Sequence, residues 1–373
     1  MKVEIERDAL LAALEQVKGV IEARNTIPVL SNVLFAVSDG VLTVTGTDLD
    51  IEASATAPAS GEILTTLPSD KIMVAAKSFK PGKLTIAPVE GRGAVTVKQG
   101  RGVRTISTLS ADDFPKRGAL DGGISFGMPS DVLVRLFGTC RIAQSTDETR
   151  YYLIGVFLHA FDGKLRAAAT DGHRLIRAEA ELPESAAELP DIIVPTKAVA
   201  QVLQMLGKAS GVVQITVAAG AIQFKLGSST IISKLVDGKF PDYARVIPDQ
   251  GNHVITIGRE SFIGPVAAVS AIVNAEGDKT KVRAVAFDFG AGDEAYEVSA
   301  KDQAGTSAIE PLEASFTGAP IRFGLNSQYA RDVAGIFAEG SSLTISLHGD
   351  ASPLRIVSDK DADLIGVVMP MRV

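Results

Sequence analysis

Apolar and polar residues alternate in short runs along most of this chain, and a few longer stretches switch to a helical period. Val3 to Glu6 alternates as a strand does, and from Asp8 onward Leu10, Leu11, Leu14, Val17 and Ile21 share one face of a helix expected over 7–24. The same opening recurs from Ser130, with Leu133, Leu136, Phe137 and Cys140 on one face (130–145), and from Arg259, with Phe262, Val266, Val269 and Ile272 (259–274). After each helix come two strand-like runs joined by a glycine-containing turn: 33–37 with 41–45, 153–160 with 164–169, and 282–289 with 295–300. A second helix is expected in each third, over 69–80, 196–208 and 327–339. Ser69, Thr196 and Asn326 stand where a side chain caps a helix start. Further strands are expected at 83–88, 94–99, 212–218, 221–227, 342–348 and 354–358.

Two markers keep the same beat as these elements. An apolar run ends in an aspartate at a turn at Asp48, Asp171 and Asp302, spaced by 123 and 131 residues. Phe114-Pro115, Phe240-Pro241 and Met369-Pro370 are spaced by 126 and 129. The register predicts three tandem like domains, 1–120, 125–249 and 252–373, with linkers near 116–123 and 249–252. Each holds two helices and about eight short strands, so the expected fold is α+β, with helices on one side of antiparallel sheets.

With 373 residues and 46% hydrophobic content, three cores of ordinary size are available. The single cysteine, Cys140, excludes an intrachain disulfide and a cysteine zinc cluster, and its apolar setting predicts a buried, inert thiol. The start of the chain lacks the apolar stretch of a signal peptide and no apolar run is long enough to span a bilayer, which predicts a soluble cytoplasmic protein. The net charge of −7 argues against a surface that coats nucleic acid. Its distribution is uneven: the six helix windows hold twelve Lys/Arg and eight Asp/Glu, an excess of +4, which leaves −11 elsewhere.

Six segments carry a resemblance. They are TIPVLSNVL from Thr26, TDLD from Thr47, RYYL from Arg150, ATDGHRL from Ala169, FPDY from Phe240 and the tail VVMPMRV from Val367. In order and over the whole length the chain resembles the bacterial sliding clamps, the β subunits of DNA polymerase III. The resemblance implies a head-to-tail homodimer whose six domains close a ring around duplex DNA, with helices lining the hole and sheet outside. The implied activity is tethering without covalent chemistry, with no cofactor and no metal. The implied partners are a second copy, DNA of any sequence, a clamp loader, and polymerases and repair proteins that dock through short peptides containing glutamine and apolar residues.

Residue by residue, the resemblance implies DNA contacts at Arg24, Lys71, Tyr151 and Tyr152. Asp70 and Asp147 are departures, acids beside or at contact positions that are basic or polar in relatives. It implies a peptide pocket made by Arg150, Leu153, Thr170, Gly172, His173, Arg174, Leu175, Pro241, Arg245, Val246, Val367, Val368, Met369, Pro370, Met371 and Arg372. Adaptable methionines beside proline and glycine suit such a pocket. The subunit interface is implied at Arg101, Arg104, Ile106, Ile272, Val273, Glu310 and Glu313, where basic and acidic edges would set register.

Plainer readings stand beside these. Arg24 reads as a cation at a helix C-terminus, the tyrosines as strand-packing aromatics, and the charged clusters as solvated edges. Asp171 with His173 suggests a hydrolase or nuclease. However, aspartates spread one per domain cannot converge on one metal, and Asp-Gly is first a turn. No phosphate-binding G-x-x-x-x-G-K-[ST] loop occurs. A structural β-repeat protein is the remaining alternative.

Overall fold

The computed structural model describes residues 2–22, 26–118, 120, 122–207, 209–218, 220–273, 283–290 and 296–373. These form α+β structure with twenty-five strands and six α-helices: α1 Arg7–Val17, α2 Ser69–Lys77, α3 Ser130–Cys140, α4 Thr196–Leu206, α5 Arg259–Val273 and α6 Ser327–Ala334. Eight strands accompany the first helix pair, eight the second and nine the third. Helix starts fall at or within one residue of the expected positions, but most ends fall earlier. After Val17 the chain tightens, Val20 N–H bonding Val17 and Ile21 N–H bonding Lys18, and after Cys140 it passes into the 3-10 turn Arg141–Ala143. Apolar periodicity continues through such turns, which is why it overstates helix length.

Two corrections follow from these bounds. Of the three expected caps only Asn326 acts as one, its Oδ1 accepting the backbone N–H groups of Gln328 and Tyr329. Ser69 and Thr196 are already the first helical residues, behind Pro68 and Pro195. The basic excess also shifts: within the observed bounds the helices hold seven Lys/Arg and six Asp/Glu, so most of the expected +4 comes from chain beyond the helix ends.

Compactness follows the sheets and not the sequence repeat. One unit, Met1–Val134 with Pro183–Pro190 and Val194–Val236, is built on a twelve-stranded sheet. Within it Ile51–Ser60 pairs with Ser229–Lys234, Ala53 opposite Ile231, so the sheet runs on past the end of the first repeat. The other unit, Arg135–Leu182 with Asp191–Ile193 and Asp237–Val373, holds a nine-stranded and a four-stranded sheet. Here Arg174–Glu181 pairs with Leu364–Val368, Ile176 opposite Gly366, and joins the second repeat to the third in the same way.

Gly366 has a packing role. A Cβ there would lie 2.3 Å from Val333 Cγ1, so the missing side chain lets α6 sit down on this strand. The junction carries an ion cluster as well: Arg135 of α3 reaches Asp363 at 2.6 Å and Asp361 at 2.8 Å. Asp361 is almost fully buried, and its other oxygen accepts from the Ala338 amide and the Ser358 hydroxyl. Burial pushes the Asp361 carboxyl up, but these donors and Arg135 outweigh it and hold it below the ordinary carboxylate range. Cys140 is buried, and burial pushes its thiol up to about 12.

Candidate functional site

The repeated aspartates are turn devices. Asp48 Oδ1 accepts the amides of Asp50 and Ile51, Asp171 Oδ1 those of His173 and Arg174, and Asp302 Oδ1 that of Thr306. The remaining oxygen of Asp171 meets Arg174 Nε at 3.2 Å, and that of Asp48 takes an ion pair from Lys197. Each carboxylate is therefore committed to its own turn or to a neighbouring cation, which is the order that a strand-to-strand reversal needs. Among the described residues no group of three or more His, Cys, Asp or Glu is placed to hold a metal.

Around Asp171 these turn bonds shape a surface. Thr170 Oγ1 donates to the Arg174 carbonyl and accepts the Gly172 amide, and Gly172 adopts φ +89, a left-handed conformation that favours glycine. Arg150 Nη1 lies only 2.8 Å from where a Gly172 Cβ would stand, so the guanidinium covers the turn. Arg174 lies over the Tyr329 ring at 4.5 Å and pairs with Asp332 at 2.5 Å. His173 stacks on the same ring, 6.1 Å away. Tyr329 and Asp332 had not been singled out in the sequence; their i, i+3 spacing behind the Asn326 cap is the signal that puts both on one face of α6.

The tail completes this surface. Leu175, Val367 and Val368 are buried and form its floor, with Leu175 opposite Val367 and Arg174 opposite Val368. Beyond them Met369 N–H bonds the His173 carbonyl at 2.8 Å and Met371 N–H bonds Gly324 at 2.8 Å. The Val373 side chain fills the space over Gly324, 2.4 Å from where a Cβ would be. Met369, Met371 and Arg372 are exposed, and a groove of about 540 Å³ runs between residues 369–373 and Arg322, Phe323, Gly324 and Asp350. Two methionines over a main-chain-fixed floor can adapt to apolar side chains of different shape.

The other expected pocket residues sit on two neighbouring segments. Arg150 and Leu153 belong to the 3-10 turn Glu148–Leu153, Leu153 buried and Arg150 paired with Asp147 at 2.9 Å. Pro241 is exposed on the approach to a second 3-10 turn, Tyr243–Val246, which exposes Arg245 and Val246 while Phe240 and Tyr243 are buried. Arg245 pairs with Asp242 at 2.8 Å.

Of the expected DNA contacts, Arg24 lies outside the described residues, beyond the end of α1 at Val17. Lys71 is exposed on the first turn of α2, where the Asp70 carboxylate accepts its backbone N–H at 2.7 Å. Tyr151 and Tyr152 are not strand aromatics but members of the 148–153 turn, set edge to face at 5.7 Å with Tyr151 exposed. Asp147 caps that turn: the Thr149 hydroxyl and amide and Arg150 hold its carboxyl below the ordinary range. Its charge is thus partly balanced within the turn.

The interface positions divide by exposure. Arg101, Arg104, Glu313 and Ile272 are exposed, whereas Ile106 and Val273 are buried within the chain. Arg104 lies over the Phe79 ring at 4.8 Å. Gly102–Ser107 ends one sheet and Ser307–Pro311 ends another, so among the described residues each is paired on one side only. Both open edges bear an apolar residue that the sequence reading passed over, Val103 and Ile309, with Ile309 60% exposed.

Carboxylates tied up in turns leave little to move a proton, while an adaptable groove and two open strand edges offer grip; the molecule is by class a binding protein. Comparison with known proteins gives the family. The models of the DNA polymerase III beta subunit match in order: N-terminal domain at 1–119, central domain at 127–242 and C-terminal domain at 244–372. The beta sliding clamps of Caulobacter vibrioides and Escherichia coli K12 are 33% and 30% identical to the chain, each alignment covering 100% of both sequences. The crystal structure of the sliding clamp from Bartonella birtlesii bound to griselimycin superposes with a TM-score of 0.93 at 31% identity, covering 100% of both chains. That of the Caulobacter crescentus clamp gives 0.92 at 33%, again over 100% of both. The chain belongs to the DNA polymerase III beta subunit family, the sliding clamps, which are non-catalytic processivity subunits.

Proposed function

We propose that two copies of this chain join head to tail as a ring around duplex DNA, each copy contributing clamp domains at 1–120, 125–249 and 252–373. The full-length, in-order family match carries this reading. The edges support it: Gly102–Ser107, beside Arg101 and containing Arg104, would add to Ser307–Pro311, which contains Glu310 and is followed by Glu313, of the second copy. Main-chain pairing would supply the seam, and opposite charge its register. DNA would be held by topology, with Lys71, Tyr151, Tyr152 and Arg24 making weak contacts that fade as salt is added. The surface around His173, Met369 and Met371, with Arg150, Pro241, Arg245 and Val246 at its margin, would receive short peptides from a clamp loader, polymerases and repair proteins in the cytoplasm. Two or three apolar anchors against the ordering of an extended segment leave about −8 kcal/mol, near micromolar.

The deciding experiment loads the protein on closed circular DNA and then cuts the circle. A ring stays on the circle through a salt wash and leaves when the DNA is linearised. Salt-sensitive loss from the intact circle would contradict a topological link.

A further inference from the structure

The segment that carries Pro241, Arg245 and Val246 is held from beneath by an aromatic stack on the Gly155–Phe161 strand. Phe240 lies flat on Phe157, centroids 4.8 Å apart and planes 1° from parallel, and Phe157 lies on His159 at 4.7 Å. Tyr243 stands edge-on to all three rings, and its hydroxyl meets His159 Nε2 at 2.8 Å. Phe240 and Tyr243 bracket Pro241 and lead directly into Arg245, so the placing of these exposed residues depends on the stack. His159 is the one member of the stack whose ring can take up a proton and become a cation.

We propose that His159 is a positioning residue for the peptide site, fixing the 240–246 segment through Tyr243; the proposal rests on the peptide-site reading above. A neutral imidazole with its proton on Nδ1 accepts from the Tyr243 hydroxyl at Nε2, an arrangement that a protonated ring must reverse. Charged neighbours oppose a further positive charge here. Arg166 stands directly across the strand pair and Arg177 lies on the next strand, with Arg355 near it. Glu179 is already shared between Arg166 and Arg177, and Asp191 is the acid that favours the cation. Burial first, then the two arginines, keep the His159 pKa below its ordinary value. The positioned state is therefore the neutral one, and acid loosens it.

The test is calorimetric titration of the full-length protein with a synthetic peptide, a glutamine followed by apolar residues, from pH 7.5 to 5.5. At pH 7.5 His159→Ala should bind about five- to tenfold more weakly, the loss of one hydrogen bond and a ring contact. His159→Gln, which can still meet the tyrosine hydroxyl, should bind within about twofold of wild type. Wild type should lose affinity as the pH falls, and His159→Gln should lose distinctly less. His173 is present in both proteins, so the difference between their profiles reports His159. Unchanged binding by His159→Ala would overturn the proposal while leaving the peptide site standing. No binding by wild type would overturn both. If His159→Ala does not fold, the His159→Gln profile decides: a pH slope identical to wild type overturns the proposal.

Discussion

Gly172 shows how much one missing side chain sets at the proposed peptide site. An alanine there meets two penalties, a left-handed backbone and the Arg150 guanidinium 2.8 Å from its Cβ. Gly163, at φ +70 in the hairpin turn, makes the control, because an added Cβ meets no atom within 4 Å. Both Gly→Ala changes should cost about 1–2 kcal/mol in thermal or urea unfolding. Only Gly172→Ala should also weaken peptide binding, and equal affinities of the two variants would separate Arg150 from the site. Asp361 gives a pH-dependent counterpart. Its carboxyl is held below its ordinary value, so the stability it contributes is complete above about pH 4, near the unfolded pKa, and is lost as pH falls through the lower folded value. The stability gap between wild type and Asp361→Asn should be level from pH 7 to about 4 and narrow below it. A gap that widened in acid would reverse the assigned sign.

At the scale of elements, the open strands make the sharpest claim. Ile309→Lys and Ile272→Glu should each shift sedimentation from dimer toward monomer while leaving circular dichroism unchanged, because both side chains are exposed in the single chain. A double variant that still sediments as a dimer would remove the head-to-tail edge pairing. Val273 is not a fair probe, being buried, since a charge there would damage the fold itself. The helices and many strands were legible because Leu10, Leu14 and Val17, or Phe262, Val266 and Val269, keep a clean period, and strands such as 83–88 and 94–99 fall where the alternation puts them. The helix ends were not, since 3-10 turns continue the period. The role of Asp171 was half legible: Asp-Gly announced a turn, but nothing local announced that Arg174 and His173 would meet Tyr329 more than 150 residues away. The stack of His159, Phe157, Phe240 and Tyr243 was hidden for the same reason, being long-range packing with no local pattern.

For the whole molecule, the threefold repeat in sequence and the twofold division in compactness are compatible, because sheets cross repeat boundaries by ordinary antiparallel pairing. The tail belongs to this continuity. Deleting Met369 to Val373 should abolish peptide binding and leave the dimer intact, since these residues bond to His173 and Gly324 while the open edges lie elsewhere in the sheets. Undiminished calorimetric binding by the truncated protein would place the site elsewhere. The strand that leads into that tail has a mechanical meaning too. Leu364–Val368 is zipped on both sides, to Arg174–Glu181 and to Leu354–Ser358. Antiparallel hydrogen bonds run across the strand, so a pull along it loads them together in shear rather than opening them one by one. A moving partner anchored on Met369 and Met371 would tug in that direction, and the grip would yield at the peptide before the protein unravels.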